Sequence, residues 1–413
     1  MEESNRPLSG IKVVEMATFI AVPAVGRIMA DMGAEVVKIE SAKGDNLRYT
    51  APNEGRPSDP LEDTNFDLEN ANKKGIVLDL RTDAGKEVLF KLLDDADVFL
   101  TNWRPQALAR QGLTYDDLKE RFPKLVYASL TGFGETGPDK DLPGFDYTAF
   151  FARSGWSGSL YQKGTVPSNL IPALGDHQGA LTLTVGVLAA LLRAKATGKG
   201  EKVTTSLLHT AVWVQAFQIQ GCQYGNEFGG VSYPFDRRDN QLPYQPAVKT
   251  ADNRFLQVMG PNYDIYFPRI MKAIGREDLI DHPVYSSQRT MQEQDANGEL
   301  YDIIQEAFEQ KTAEEWVGIL GELDVPVALC KTYEEVVKDE QAWATGVFHE
   351  MDYPRGPKAL VNIPVHMESV GEFPYEKAPL LGADTVDVLA GLGYTSDEID
   401  QMIADGVAGV WKG

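Results

Sequence analysis

Gly175-Asp176 stands just before an apolar run, Ala180 to Leu192, that ends in Arg193 and Lys195 ahead of Gly198. The pattern predicts a helix whose first turn carries a carboxylate. Such a carboxylate has two uses. As an N-cap it stabilises the helix by about 1 kcal/mol. As a nucleophile it attacks an activated carbonyl, and the free N–H groups of the first turn keep it ionised. Gly175 before it and Gly179 after it leave room for a ligand to approach closely. The local pattern leaves both uses open.

A second candidate chemistry is anion binding. Lys73 and Lys74 precede a predicted strand and Arg81 follows it, while Asn102, Trp103, Arg104 and Arg110 follow the next one. In a chain of net charge -22, cations gathered at the ends of adjacent strands suit phosphate groups, and Trp103 suits stacking of a base. A solvated charged face with Trp103 packed as core explains the same residues equally well. His177 adjoins Asp176, but helix neighbours point about 100° apart, so a packing or hydrogen-bonding role is expected. The histidines, His177, His209, His282, His349 and His366, have no HxxxH or HxH spacing, so no metal site is expected. Neither GxSxG nor GxxxxGK[ST] occurs.

The elements that must hold these residues follow a βα alternation. Gly10–Glu15 and Glu35–Glu40 are strands around a helix Ala24–Met32, which makes one βαβ unit and implies a parallel sheet. Strands Ile76–Leu80, Val98–Thr101, Leu125–Thr131 and Lys202–Leu208 continue the series, with helices at Asp83–Asp94, Tyr115–Arg121 and His209–Gly221. Ligands of such sheets lie at the carboxyl ends of strands. The first turn, Thr18 to Gly26, lacks GxGxxG, so a Rossmann-like sheet without a standard dinucleotide site is expected. The loop Gly132 to Asp146 is long and rich in Gly and Pro, as functional loops often are.

A linker is expected over Gln223–Gln245, and 225–335 is expected to form a smaller α+β domain, with helices at Asn262–Ile274, Met291–Gln310 and Ala313–Leu323. The C-terminal α/β texture returns to the first domain, so the large domain comprises 1–222 and 336–413. The strong negative charge argues against nucleic acid or an anionic membrane as partner. The apolar run Ala180–Leu192 is too short to span a bilayer. Cys222 and Cys330 form no framework and are expected to be core thiols of a cytoplasmic protein.

Pro7-Leu-Ser-Gly-Ile-Lys-Val, Gly33-Ala-Glu-Val-Val-Lys-Ile-Glu40, Asn72-Lys-Lys, Leu174-Gly-Asp176, Thr197-Gly-Lys-Gly200 and Pro379-Leu-Leu-Gly382 together resemble the class III coenzyme A transferases (CaiB/BaiF type). Asp67–Lys74, Asp141–Arg153, Gly175-Asp-His-Gln178 and Asp339–Ala344 narrow the resemblance to the branch acting on (R)-phenyllactate and 2-hydroxyisocaproate. The resemblance implies an interlocked homodimer whose large Rossmann-like domain is built from both chain ends. It implies CoA transfer from an acyl-CoA to a free carboxylic acid, with the CoA thioester as substrate and no permanently bound cofactor. Asp176 would be the covalent nucleophile, and Leu78, Arg81, Asn102, Trp103, Arg104 and Arg110 would contact CoA. Two departures bear on the substrate. Val258–Asn262 has one glycine where the formyl-CoA branch has a polyglycine loop, and Ile20 replaces its substrate-contacting Gln. With Phe19, Ile20 and Phe145 in the matched loops, a larger apolar acyl group is expected. An acyl-CoA racemase of the same fold is the alternative, but it needs a histidine opposite the Asp, and none occurs before Asp176.

Overall fold

Short β-branched runs alternate with helices to build a seven-stranded sheet in the computed structural model, which describes residues 6–224, 233–368, 370–371, 373 and 375–411. Its strands are β1 (Lys12–Met16), β2 (Glu35–Glu40), β3 (Lys74–Leu78), β4 (Val98–Thr101), β5 (Val126–Thr131), β6 (Lys202–Ser206) and a C-terminal strand, Ala408–Gly409. The first six are parallel and lie in the order β3-β2-β1-β4-β5-β6, and Ala408–Gly409 pairs antiparallel on the outside of β3. This is the doubly wound order, and its direction reverses between β1 and β4, where a crevice opens at the strand ends. Residues of β1 to β5 are almost all buried, as expected of strands covered on both faces.

The chain divides into two compact units: Met1–Ser154, Leu170–Val214 and Glu340–Gly413 form one, and Gly155–Asn169 with Gln215–Asp339 form the other. The first contains the whole sheet. Its C-terminal part closes the edge of the sheet: the Gly75 N–H donates to Asp384 at 2.7 Å, the Val77 N–H to Thr385 at 3.1 Å and the Asp79 N–H to the Val407 carbonyl at 2.8 Å. The second unit has its own core, around Tyr244, Phe267, Phe308 and Trp316, and a three-stranded antiparallel sheet of Val248–Lys249, Phe255–Val258 and Val327–Leu329.

Several elements differ from the sequence reading. Segment 155–169 groups with the second unit rather than the first, and the unit boundary falls at 214/215. The helix expected over Met291–Gln310 is two, Gln288–Glu293 and Asn297–Phe308, because Asp295 turns left-handed at φ 54° between them. Of the expected linker Gln223–Gln245, residues 225–232 lie outside the described residues. Cys222 and Cys330 are exposed free thiols, not core residues. The apolar run belongs to a 24-residue helix, Leu174–Thr197, long enough by length and composition to cross a membrane. One side of it, with Leu183, Val187 and Leu191, is buried in the core of the first unit.

Beneath the crevice lies a buried charge network. Glu15 bonds Lys38 at 3.0 Å and Lys73 at 2.7 Å; Lys38 also reaches Asp45 at 2.9 Å. Gly26, on the helix Ala21–Asp31, makes this possible: a Cβ there would lie 2.0 Å from Glu15 Oε2 and 3.1 Å from Lys73 Nζ. Gly26→Ala is therefore expected to destabilise the protein by about 3 kcal/mol, from overpacking against a buried pair. An unchanged unfolding midpoint in urea would refute this.

Candidate active site

The loops after β1, β4 and β5 and the start of the helix Leu174–Thr197 surround a cleft of about 290 Å³. Thr18, Phe19 and Ile20 line it from the first loop, Asn102, Trp103 and Arg104 from the second, and Lys140, Leu142 and Phe145 from the third; Asp176 completes it. Seven residues singled out from sequence thus meet in one place: Asp176, Asn102, Trp103, Arg104, Phe19, Ile20 and Phe145.

Asp176 is not the helix cap. Ala173, left-handed at φ 68°, is the N-cap residue and no side chain caps the helix, so Asp176 stands in the first turn with its carboxylate free for other work. The neighbouring glycines do not make room for a ligand, as their position suggested. A Cβ on Gly175 would meet Phe150 at 2.6 Å and Asp146 at 2.8 Å, and one on Gly179 would meet Leu130 at 2.9 Å. They let the helix start press against the helix Asp146–Ala152 and against β5.

That close packing decides the electrostatics. Burial, then the nearby Asp146 charge, push the Asp176 carboxyl up to about 7, against the pull of His177. A rise of this size corresponds to roughly 4 kcal/mol, which exceeds the 0.3–1 kcal/mol or so that a helix terminus offers a carboxylate. The expectation that free N–H groups keep Asp176 ionised is therefore corrected: desolvation wins. Once ionised, such a carboxylate is a stronger base and nucleophile than an exposed one. His177 Nε2 lies 2.8 Å from Glu69 Oε1; burial works against the charged ring, but the Glu69 hydrogen bond and charge outweigh it and raise its pKa. Asp146 is itself raised, by burial, while the N–H groups of Tyr147 and Ala173 favour its charged form. Glu69 and Asp146 were assigned no role from sequence. Glu69 lies 108 positions from His177, so no local signal announced the pair.

Asn102 clips two loops together: its Oδ1 accepts from the Thr18 N–H at 3.0 Å and its Nδ2 donates to the Thr18 carbonyl at 2.7 Å. Phe19, next in the chain, is left-handed at φ 62° and its N–H donates to Asp45 at 2.9 Å. Trp103 both packs on the core and lines the cleft, so the two readings of it coincide. Arg104 is exposed at the start of the helix Pro105–Gln111, and Arg110 is exposed in its last turn.

The basic rim is looser than its sequence pattern suggested. Strands β3 and β4 are not adjacent: β2 and β1 separate them, a distance of roughly 14 Å at ordinary strand spacing. Arg81, at the end of β3, is exposed and paired with Asp79 at 2.7 Å. Lys73 is wholly buried on Glu15, and Lys74, at the opposite end of β3, pairs with Glu35 at 3.5 Å. Leu78 is buried in the core. Leu78, Arg81 and Arg110 do not line the cleft.

A doubly wound sheet with a buried carboxylate of raised pKa in the cleft at its switch point suits group-transfer chemistry. The model of CoA-transferase family III matches residues 8–385, and the chain belongs to that family: it is a CoA-transferase. It is 49% identical over 406 residues to the cinnamoyl-CoA:phenyllactate CoA-transferase of Clostridium sporogenes, covering 98% of both chains. It is 40% identical over 396 residues to the (R)-2-hydroxy-4-methylpentanoate CoA-transferase of Clostridioides difficile, covering 96% of this chain and 98% of that one. Among solved structures, a CAIB/BAIF family protein from Brucella suis matches with a TM-score of 0.76 and 26% identity, over 94% of this chain and 100% of that one.

Proposed function

We propose that this transferase moves CoA from an aryl- or alkyl-enoyl-CoA to an (R)-2-hydroxy acid such as phenyllactate or 2-hydroxyisocaproate, with Asp176 as covalent relay. The observation that carries this is the placement of Asp176 in a cleft shared with Phe19, Ile20, Phe145 and the cationic Arg104 and Lys140. The relatives named above supply the substrate class.

The Asp176 carboxylate oxygen attacks the thioester carbonyl; the C–S bond breaks and CoA leaves as thiolate, giving a mixed anhydride. The thiolate then attacks the Asp176 carbonyl, expels the donor acid as carboxylate and leaves an aspartyl-CoA thioester. The acceptor carboxylate attacks that thioester, releasing CoA thiolate and forming a second anhydride. The thiolate then takes the acceptor acyl group and frees Asp176. Each step exchanges one activated acyl for another, so no external energy source enters. Trp103 and Arg104 would hold CoA at the cleft, with Asn102 fixing their loop, and Leu78, Arg81 and Arg110 would mark its course along the strand ends. A racemase of this fold would need a histidine opposite Asp176; His177 is engaged by Glu69 and the cleft lining contains no histidine.

The full assembly is an interlocked homodimer acting in the cytoplasm on acyl-CoA and a small carboxylic acid. Val185, Leu192 and Trp213 of the first unit, all exposed by 70% or more, supply apolar surface for a second copy to cover.

Incubation with an acyl-CoA followed by hydroxylamine is expected to place a hydroxamate on Asp176, detected by peptide mass spectrometry. Its absence there would sink the proposal. Because only ionised Asp176 attacks, kcat/KM for the donor is expected to rise with pH through about 7 and then level. A profile flat from pH 5 to 8 would contradict this.

A further inference from the structure

The acyl end of the cleft is built by two rings. Phe19 and Phe145 meet edge to face, with centroids 5.8 Å apart and planes at 89°. Both line the cleft with Asp176, and Phe145 is 55% exposed, leaving ring surface open to a ligand. Ile20, Leu130, Leu142 and Leu207 complete an apolar lining.

One of the rings is held in place. Phe19 adopts φ 62°, a conformation that bulky residues rarely take and that persists only where the surroundings impose it. The surroundings here do: Thr18 is tied at both backbone groups to Asn102, and the Phe19 N–H is tied to Asp45. Asp45 is in turn fixed by the fully buried Lys38. A wall whose backbone is held by three hydrogen bonds discriminates by shape, since it resists collapse onto a smaller guest.

We propose that the Phe19–Phe145 pair is the acyl-group selector of this transferase and that it favours an aryl side chain over a saturated one of similar size. The inference rests on the reading of this cleft as the acyl site beside Asp176. A third ring can join the pair edge to face or offset, gaining affinity beyond the apolar area that both kinds of side chain bury, by about 3- to 10-fold. The clamped φ of Phe19 keeps that geometry available without rearrangement.

The experiment compares kcat/KM for two pairs of acceptor acids with one acyl-CoA donor: phenyllactate against its ring-saturated analogue 3-cyclohexyllactate, and 3-phenylpropanoate against 3-cyclohexylpropanoate. The aryl-to-alkyl ratio is expected to exceed about 3 in both pairs, and to fall toward one in Phe145→Leu and in Phe19→Leu, the aryl acids losing more than the alkyl ones. Phe145 is exposed enough that its replacement should leave folding intact, so the result does not depend on the Phe19 variant alone. A wild-type ratio at or below one, or a ratio that survives both substitutions, overturns the selector. The hydroxylated-to-plain ratio separately tests the proposed acceptor class. If plain acids serve as well as hydroxylated ones, that reading fails and the selector stands or falls on the aryl-to-alkyl ratio.

Discussion

Asp176→Asn is expected to abolish CoA transfer and, at pH 8, to raise the melting temperature. The loss of activity should be on the order of 10⁴-fold or more, as when a covalent nucleophile is removed. The gain in stability follows from linkage. Burial, then the Asp146 charge, push the folded carboxyl up to about 7 from its ordinary value of 3.8, so the folded state binds the proton more tightly than the unfolded chain. Below about pH 4 both states are protonated and the residue costs nothing. As pH rises toward 7 the unfolded chain ionises freely while the folded one resists, so stability falls; above about 7 the penalty is complete, at most roughly 4 kcal/mol. The neutral amide is free of that penalty. The gap between variant and wild type should thus be small at pH 4.5 and full at pH 8. Calorimetry at the two pH values decides it: equal melting temperatures at pH 8, or retained turnover, would remove Asp176 from the centre of the mechanism. The expected pattern is that of a site kept at the expense of stability.

The origin of that penalty shows what a sequence conveys and what it withholds. Asp176 was legible as a first-turn carboxylate because capping patterns and helix periodicity are local. Its high pKa was not, because it comes first from burial, in a helix start where Gly175 packs on Phe150, and then from Asp146, thirty residues earlier. The glycines looked like space for a ligand and are instead where the helix packs on the helix Asp146–Ala152 and on β5. The rule that ligands sit at strand carboxyl ends gathered Asn102, Trp103 and Arg104, and the resemblance added Phe19, Ile20 and Phe145; all six line one cleft, since each follows a strand directly or lies in the loop after β5. The same rule gathered Arg81 too loosely. Chain order does not state strand order, and two strands intervene between β3 and β4.

Lys73 illustrates the limit most sharply. Its neighbours in sequence, Asn72 and Lys74, make it look like part of a solvated basic stretch, yet Lys73, just before β3, is buried in the core while Lys74 opens the strand in solvent. There it meets Glu15, which stands between Val14 and Met16 on β1. Neither residue announces the other; only the parallel register of β1, β2 and β3 brings them together.

Lys73→Met is accordingly expected to destabilise the protein by about 3–5 kcal/mol, the usual consequence of stranding a buried charge. Three anions, Glu15, Glu40 and Asp45, face three cations, Lys38, Lys73 and Arg48. Removing Lys73 leaves Glu15 with Lys38 alone, and Lys38 is already shared with Asp45. The intact pair is not a strong source of stability in itself: burial, only partly offset by Glu15, pulls Lys73 down to about 8. The cost therefore comes from the uncompensated partner, and a second substitution that neutralises it should recover much of the loss. Lys73→Met with Glu15→Gln is expected to be more stable than Lys73→Met alone, measured by urea unfolding. If the single variant unfolds at the wild-type midpoint, or the double variant is no better than the single one, the network is not coupled in this way. The network also anchors Asp45, which holds the Phe19 backbone. Lys73→Met should therefore weaken discrimination between aryl and alkyl acids at temperatures where the protein remains folded, although Lys73 lies outside the cleft lining.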